Sequence, residues 1–190
     1  MTHGVETAFE AVRPQIDAAV DATDPERIAQ AIKLALQDAL RCDSLTLPER
    51  FRTPRADTYA RRLLHRDPSG RYTAVVMTWG PGQGTALHDH AGIWCVECVV
   101  DGEMEVAQYD LLSERDGEYR FSKQNQVTAG RGAAGCLIPP FEYHTLVNSR
   151  PDRSSIKLHV YGGEMDHCHV FEPSSDGAYR RVTKALCYHD

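Results

Sequence analysis

No stretch of this chain approaches the roughly 20 apolar residues that a membrane-spanning helix needs. Its start, MTHGVETAFEAVRPQID, has no apolar core of the secretory type, so a cytoplasmic location is expected. Lysine- and arginine-rich runs are also missing. The formal net charge is −6, which argues against a nucleic-acid footprint. The six cysteines, Cys42, Cys95, Cys98, Cys136, Cys168 and Cys187, are too scattered for the disulfide framework of a small secreted domain. Free thiols packing as small hydrophobes are expected instead. Cys95-Val96-Glu97-Cys98 has the C-x-x-C spacing, but no second pair completes a zinc site. On a strand its two thiols would face opposite ways. Neither internal repeats nor low-complexity segments occur.

What is present fits one globular domain: 190 residues, 42% apolar and 25% charged. The first fifty residues read as helical. TAFEAVRPQIDAAV is a candidate helix, with Pro14 expected to break or kink it. In DPERIAQAIKLALQDALR, Asp24 suits a cap, Pro25 the first helical position, and Ile28, Ile32, Leu34, Leu36 and Leu40 an apolar stripe. A polar, proline-bearing stretch follows. From about residue 58 the chain becomes a series of short β-rich segments: RYTAVVMTW, CVECVVDG, MEVAQYDLL, GEYRFSKQ, GCLIPP, HTLVN, SSIKLHVYGG and RRVTKALCYH. Turn signals such as DPSG, GPGQG, RDGE and SSDG separate them. The expected architecture is mainly β, a sandwich or small barrel over residues 51–190, preceded by helices over 1–50, in a single domain and a monomer.

Two histidine pairs stand out. Nine histidines in 190 residues give about 0.4 His-x-His pairs by chance, so the pattern alone decides little. Both HDH (88–90) and HCH (167–169) occur, and context must separate them. HDH follows a glycine-rich turn, WGPGQGTAL, which would put His88 and His90 on one face at the start of a strand. Downstream lies GCLIPPFEYHTLVN, which contains His144.

These two segments resemble the motifs of the cupin superfamily. Gly82, His88, His90 and Gly102 fit its first motif; Pro139, His144 and Asn148 fit its second, with Phe141 where a glycine is usual. The resemblance implies a small double-stranded β-helix (jelly-roll) barrel whose His88, His90 and His144 bind one metal. Many cupins add a glutamate after the second histidine, where this chain has Cys95. Glu97, on Cys95's face by strand parity, remains a lesser alternative ligand. Three neutral imidazoles leave a dipositive metal uncompensated, a site suited to a thiolate substrate. Iron(II) would add dioxygen binding.

Further segments make the resemblance specific, to the thiol dioxygenases and most closely to the cysteine dioxygenase family, between about Tyr59 and Cys187. YARRLL resembles the family segment whose arginine grips the substrate carboxylate. Arg61 fits the tyrosine-x-arginine pattern, while Arg62 fits when counted back from the glycine turn. Cys95 stands where a cysteine of the animal enzymes forms a thioether with a tyrosine. SIKLHVYGGEMDHCHVFEP resembles the segment carrying that tyrosine, here Tyr161, and its neighbour His159. The resemblance implies an Fe(2+) enzyme that oxidises L-cysteine with O2 to cysteine sulfinate. Tyr161, His159 and Cys95 would be catalytic, and Arg61 and Tyr161 substrate-binding. An arginine here, where relatives preferring 3-mercaptopropionate tend to have glutamine, favours cysteine.

Alternatives remain. Lys157 stands where a serine often extends the hydrogen-bond chain of these enzymes. Pointing inward, it needs a carboxylate partner or lies near the substrate, which with Arg61 would suit a dicarboxylate such as mercaptosuccinate. A non-redox cupin, or a module whose metal is structural, would fit the histidines alone. His167 and His169 are read as structural, Trp79 and Trp94 as packing or pocket-wall residues, and Asp89 as orienting its segment from the opposite face.

Overall fold

The computed structural model describes residues 7–190. Three helices come first: α1 (Thr7–Glu10), α2 (Arg13–Ala19) and α3 (Pro25–Arg41). Pro14 divides the first helical stretch and sits in the opening turn of α2, where its missing N–H has no partner to lose. Asp24 caps α3 by accepting from the Glu26 amide at 3.1 Å. Ile28, Ile32, Leu36 and Leu40 are buried, whereas Leu34 is 50% exposed. The correction follows from helix geometry, because steps of four keep one face and Leu34 lies two positions off it.

Ten strands follow: β1 (Ala60–Arg66), β2 (Thr73–Trp79), β3 (Cys95–Asp101), β4 (Glu103–Arg115), β5 (Glu118–Gly130), β6 (Ala134–Leu137), β7 (His144–Val147), β8 (Ser155–Tyr161), β9 (His167–Pro173) and β10 (Tyr179–Ala185). They form two five-stranded sheets, ordered β1-β2-β8-β3-β6 and β7-β4-β5-β10-β9. Every ladder is antiparallel. This is the mainly β, double-stranded β-helix architecture of a cupin, with helices at its N-terminal side. β1 was not legible as a strand, because ARRLLHR alternates no apolar and polar residues.

Strand parity divides the first sheet between two cores. Ala74, Val76, Val96, Cys98, Val100, Ile156, Leu158 and Val160 face outward and pack with the buried stripe of α3. Val75, Met77, Trp79, Cys95 and Tyr161 face inward and meet Met104, Val106 and Leu146 of the second sheet. Burying each large apolar side chain contributes roughly 1.5–3 kcal/mol. The helices thus stiffen the back of the sheet whose front lines the barrel. At the turn from β3 to β4, Gly102 has φ +74°, and a Cβ there would lie 2.9 Å from the Ser154 carbonyl. Only glycine fits.

Candidate metal centre and adjoining pocket

His88 and His90 do not begin a strand. They lie in an extended segment, residues 84–90, that bridges the two edge strands of the second sheet. Gly84 pairs with Val147, and His88 pairs with both His144 and Val170. The ladder stops because Ala91 and Gly92 turn the chain at φ 52° and 82°, and β3 starts only at Cys95. Asp89 points away from its neighbours. It accepts from the amides of Ala91 (3.0 Å) and His169 (2.9 Å) and faces His169 Nδ1 at 2.7 Å. Asp89 and His169 therefore fasten the segment to β9, and His167 lies half exposed against Asp166.

Among the described residues, His88, His90 and His144 are the one group of three or more metal-ligating side chains close enough to share an ion, with ligand atoms within 4.8 Å of one another. His88 Nε2 and His144 Nε2 are 3.1 Å apart. Two nitrogens about 2.1 Å from one ion at right angles would stand about 3 Å apart, so the spacing fits a metal. His88 Nδ1 donates to the Ala86 carbonyl at 2.9 Å, which leaves the Nε2 lone pair facing its neighbours.

His90 has a partner that sequence reasoning missed. Glu142 Oε2 accepts from the His90 amide at 2.7 Å and lies 3.2 Å from its Nδ1. That carboxylate, itself buried, orients the imidazole and leaves Nε2 for a metal. Glu142 lies two residues before His144, ahead of the start of β7, so no strand pattern announced it. Burial, and then the neighbouring His90, push His88 down to about 3; burial and His88 hold His144 well below the usual histidine range. Both rings are neutral at physiological pH, as metal ligands must be.

Beside the triad, β3 and β8 present a polar row. Cys95 lies directly opposite Tyr161, and Glu97 opposite His159. His159 Nδ1 is 3.2 Å from Tyr161 Oη and 3.8 Å from Cys95 Sγ. Burial raises the Cys95 thiol and the Tyr161 phenol well above their ordinary values, so both keep their protons. Glu97 does not join the triad; its Oε2 pairs with Lys157 Nζ at 2.7 Å. The inward lysine has found a carboxylate in the protein itself.

The two arginines separate by strand parity. Arg61 pairs with inward Met77, Arg62 with outward Val76. Arg62 donates to the carbonyls of Thr53 (2.8 Å) and Asp190 (3.1 Å), away from the barrel. Arg61 is 2% exposed and lines one pocket with His88, His159, Tyr161 and Met77. Its Nη2 donates to the Met165 carbonyl at 2.6 Å, and its face lies over the Tyr188 ring. It forms no ion pair among the described residues, and its Nε has no partner. Trp79 is a buried wall residue, its ring 6.0 Å from that of His159; Trp94 packs instead on Gly162.

A three-histidine cluster inside a double-stranded β-helix defines a cupin with a candidate metal centre. The chain belongs to the cysteine dioxygenase type I family, whose model matches residues 29–174. Cysteine dioxygenase type 1 of Rattus norvegicus is 23% identical over 125 residues, 66% of this chain and 60% of that protein. The enzyme of Homo sapiens matches to the same extent. The chain thus spans about 60% of the length of the curated relatives it matches. Among solved structures, a Klebsiella pneumoniae protein with a double-stranded β-helix domain has a TM-score of 0.44 at 21% identity, covering 62% of this chain and 88% of that one.

Proposed function

We propose that the protein is an iron(II)-dependent thiol dioxygenase that converts L-cysteine and O2 to cysteine sulfinate. The observation that carries this reading is Arg61, a buried guanidinium that forms no ion pair among the described residues, in one pocket with a histidine of the triad, His159 and Tyr161. A guanidinium is a fork suited to a carboxylate. Family membership supports the reaction class.

Held by His88, His90 and His144, iron(II) would supply the redox chemistry that joins dioxygen to the substrate sulfur. Arg61 would bind the substrate carboxylate and so fix its sulfur near the triad, which converts an encounter into a positioned reaction. Tyr161 would donate a hydrogen bond from Oη to the substrate, with His159 orienting the phenol. Met77, Leu146 and Leu186 form an apolar wall that limits water. The overall balance is one thiol plus one dioxygen giving one sulfinate and one proton. Because Glu97 already neutralises Lys157, Arg61 is left as the cation for a carboxylate, which favours cysteine over a dicarboxylate such as mercaptosuccinate.

The test is aerobic incubation of iron-loaded protein with cysteine, 3-mercaptopropionate and mercaptosuccinate, recording oxygen uptake and product mass. Cysteine should gain two oxygen atoms. Fast turnover of another thiol without turnover of cysteine would overturn the substrate, and no reaction with any thiol would overturn the class.

A further inference from the structure

The barrel has a second cavity, about 240 Å³, which Arg61 does not line; Val99, Val106, Val127, Leu137, the polar Gln108 and Asn125, and small residues wall it. Lys157 and Glu97 form part of its lining, so the polar row of β3 and β8 runs from the Arg61 pocket to this cavity. Lys157 and Glu97 are 2% and 4% exposed. A buried ion pair is poor evidence for stability, since apolar residues of similar volume commonly do as well. Its position therefore asks for another explanation. The pair adjoins His159, whose Nδ1 lies 4.0 Å from Glu97 Oε2, the oxygen that Lys157 holds.

We propose that Lys157 and Glu97 are positioning residues, a charge pair that sets the proton occupancy of His159 and thereby the direction of its hydrogen bond with Tyr161. The inference rests on the thiol dioxygenase reading for its kinetic arm alone. His159 Nε2 is buried without a partner, so a proton there would be orphaned. The single imidazole proton belongs on Nδ1, which has Tyr161 Oη at 3.2 Å. Donated from Nδ1, it leaves the phenol O–H free to point into the pocket. A second proton would have to sit on Nε2, where it has no acceptor.

The charges around His159 decide whether that second proton arrives. β3 contributes Cys95 and Glu97, β8 contributes Lys157 and Tyr161, β1 contributes Arg61, and His88, His90 and His144 stand beyond. β2 presents the uncharged Val75, Met77 and Trp79. Glu97 is the one carboxylate of this set and alone would draw a proton onto the ring. Lys157 cancels it at 2.7 Å. Burial first, and Lys157 next, keep His159 well below the usual histidine range.

The experiment compares wild type, Lys157→Met, Lys157→Arg and the double variant Glu97→Gln/Lys157→Met. Imidazole 15N shifts are read in the metal-free proteins, and kcat and KM for cysteine against pH in the iron-loaded ones. Lys157→Met should show His159 as imidazolium at neutral pH. Its kcat should fall about tenfold at pH 7 and recover as pH rises, with KM nearly unchanged. Lys157→Arg and the double variant should keep the neutral ring and the wild-type profile. A neutral His159 in Lys157→Met with an unaltered profile would overturn the proposal. So would an imidazolium His159 in the wild type at pH 7, a reading that needs no variant to fold. If no thiol is oxidised by any of these proteins, the dioxygenase reading fails and the nitrogen shifts still decide this one.

Discussion

Glu142 grips His90 twice, accepting its backbone amide at 2.7 Å and facing its ring Nδ1 at 3.2 Å. One carboxylate thereby fixes both the chain path and the ring orientation of a candidate ligand. Glu142→Ala should weaken metal binding about 10- to 100-fold, as losses of such supporting carboxylates do. Titration of the metal-free protein with iron(II), or with a spectroscopic surrogate ion, measures it. Unchanged affinity would show that His90 needs no such anchor.

Cys95 and Tyr161 face one another across β3 and β8. Directly opposed residues of an antiparallel pair have Cβ atoms about 4.5–5.5 Å apart, within reach of a bond from sulfur to a ring carbon. With iron and dioxygen as oxidant, part of the protein should lose two hydrogens on turnover. Intact mass should show that loss in wild type and not in Cys95→Ala. A wild-type mass that stays unchanged through repeated turnover would refute the link.

Arg61 and Arg62 are neighbours in sequence with opposite surroundings. Arg61→Gln should lower kcat/KM for cysteine about 10- to 100-fold, mostly through KM, the scale of a lost charge-assisted interaction. Arg62→Gln should leave it near wild type, because Arg62 serves backbone carbonyls outside the barrel. Steady-state oxygen uptake distinguishes them. An equal effect of both would point to stability rather than recognition.

Asp67 ties the β1–β2 turn to the helices. It accepts from Arg71 Nε at 3.0 Å, while Arg71 Nη1 reaches Asp21 at 2.8 Å. The Arg71 guanidinium holds the Asp67 carboxyl at about 2, below its ordinary 3.8. Its folded value lies below its unfolded one, so its stabilisation is present above about pH 4 and is lost as pH falls towards 2. Asp67→Asn should therefore be less stable than wild type at neutral pH, with the gap closing in acid. Denaturant midpoints across that range give the curve, and a constant gap would contradict it.

The clustering of His88, His90 and His144 was legible because HDH and the histidine of EYH sit in recognisable punctuation, a glycine turn before one and a double proline before the other. The inward placement of Cys95, Glu97, Lys157, His159 and Tyr161 followed from period-two parity. Less was visible where local rules lose to tertiary context. β1 carries Arg61 and Arg62 where alternation would want apolar residues, and its strand character comes from pairing with β2. His88 and His90 are extended without belonging to a strand, held by bridges to β7 and β9 that no local pattern announces. Glu142 looked like loop polarity, since its partner His90 is 52 residues away.

The division of β3 and β8 between two faces has a further consequence. Odd-numbered positions look into the barrel, while even-numbered positions hold the helix layer. A single deletion or insertion within either strand would exchange the two sets, sending Cys95 or His159 towards α3 and a valine towards the triad. These strands can change letter by letter over time but not in length. Insertions and deletions among divergent relatives should fall in the connecting turns and leave both strands uninterrupted.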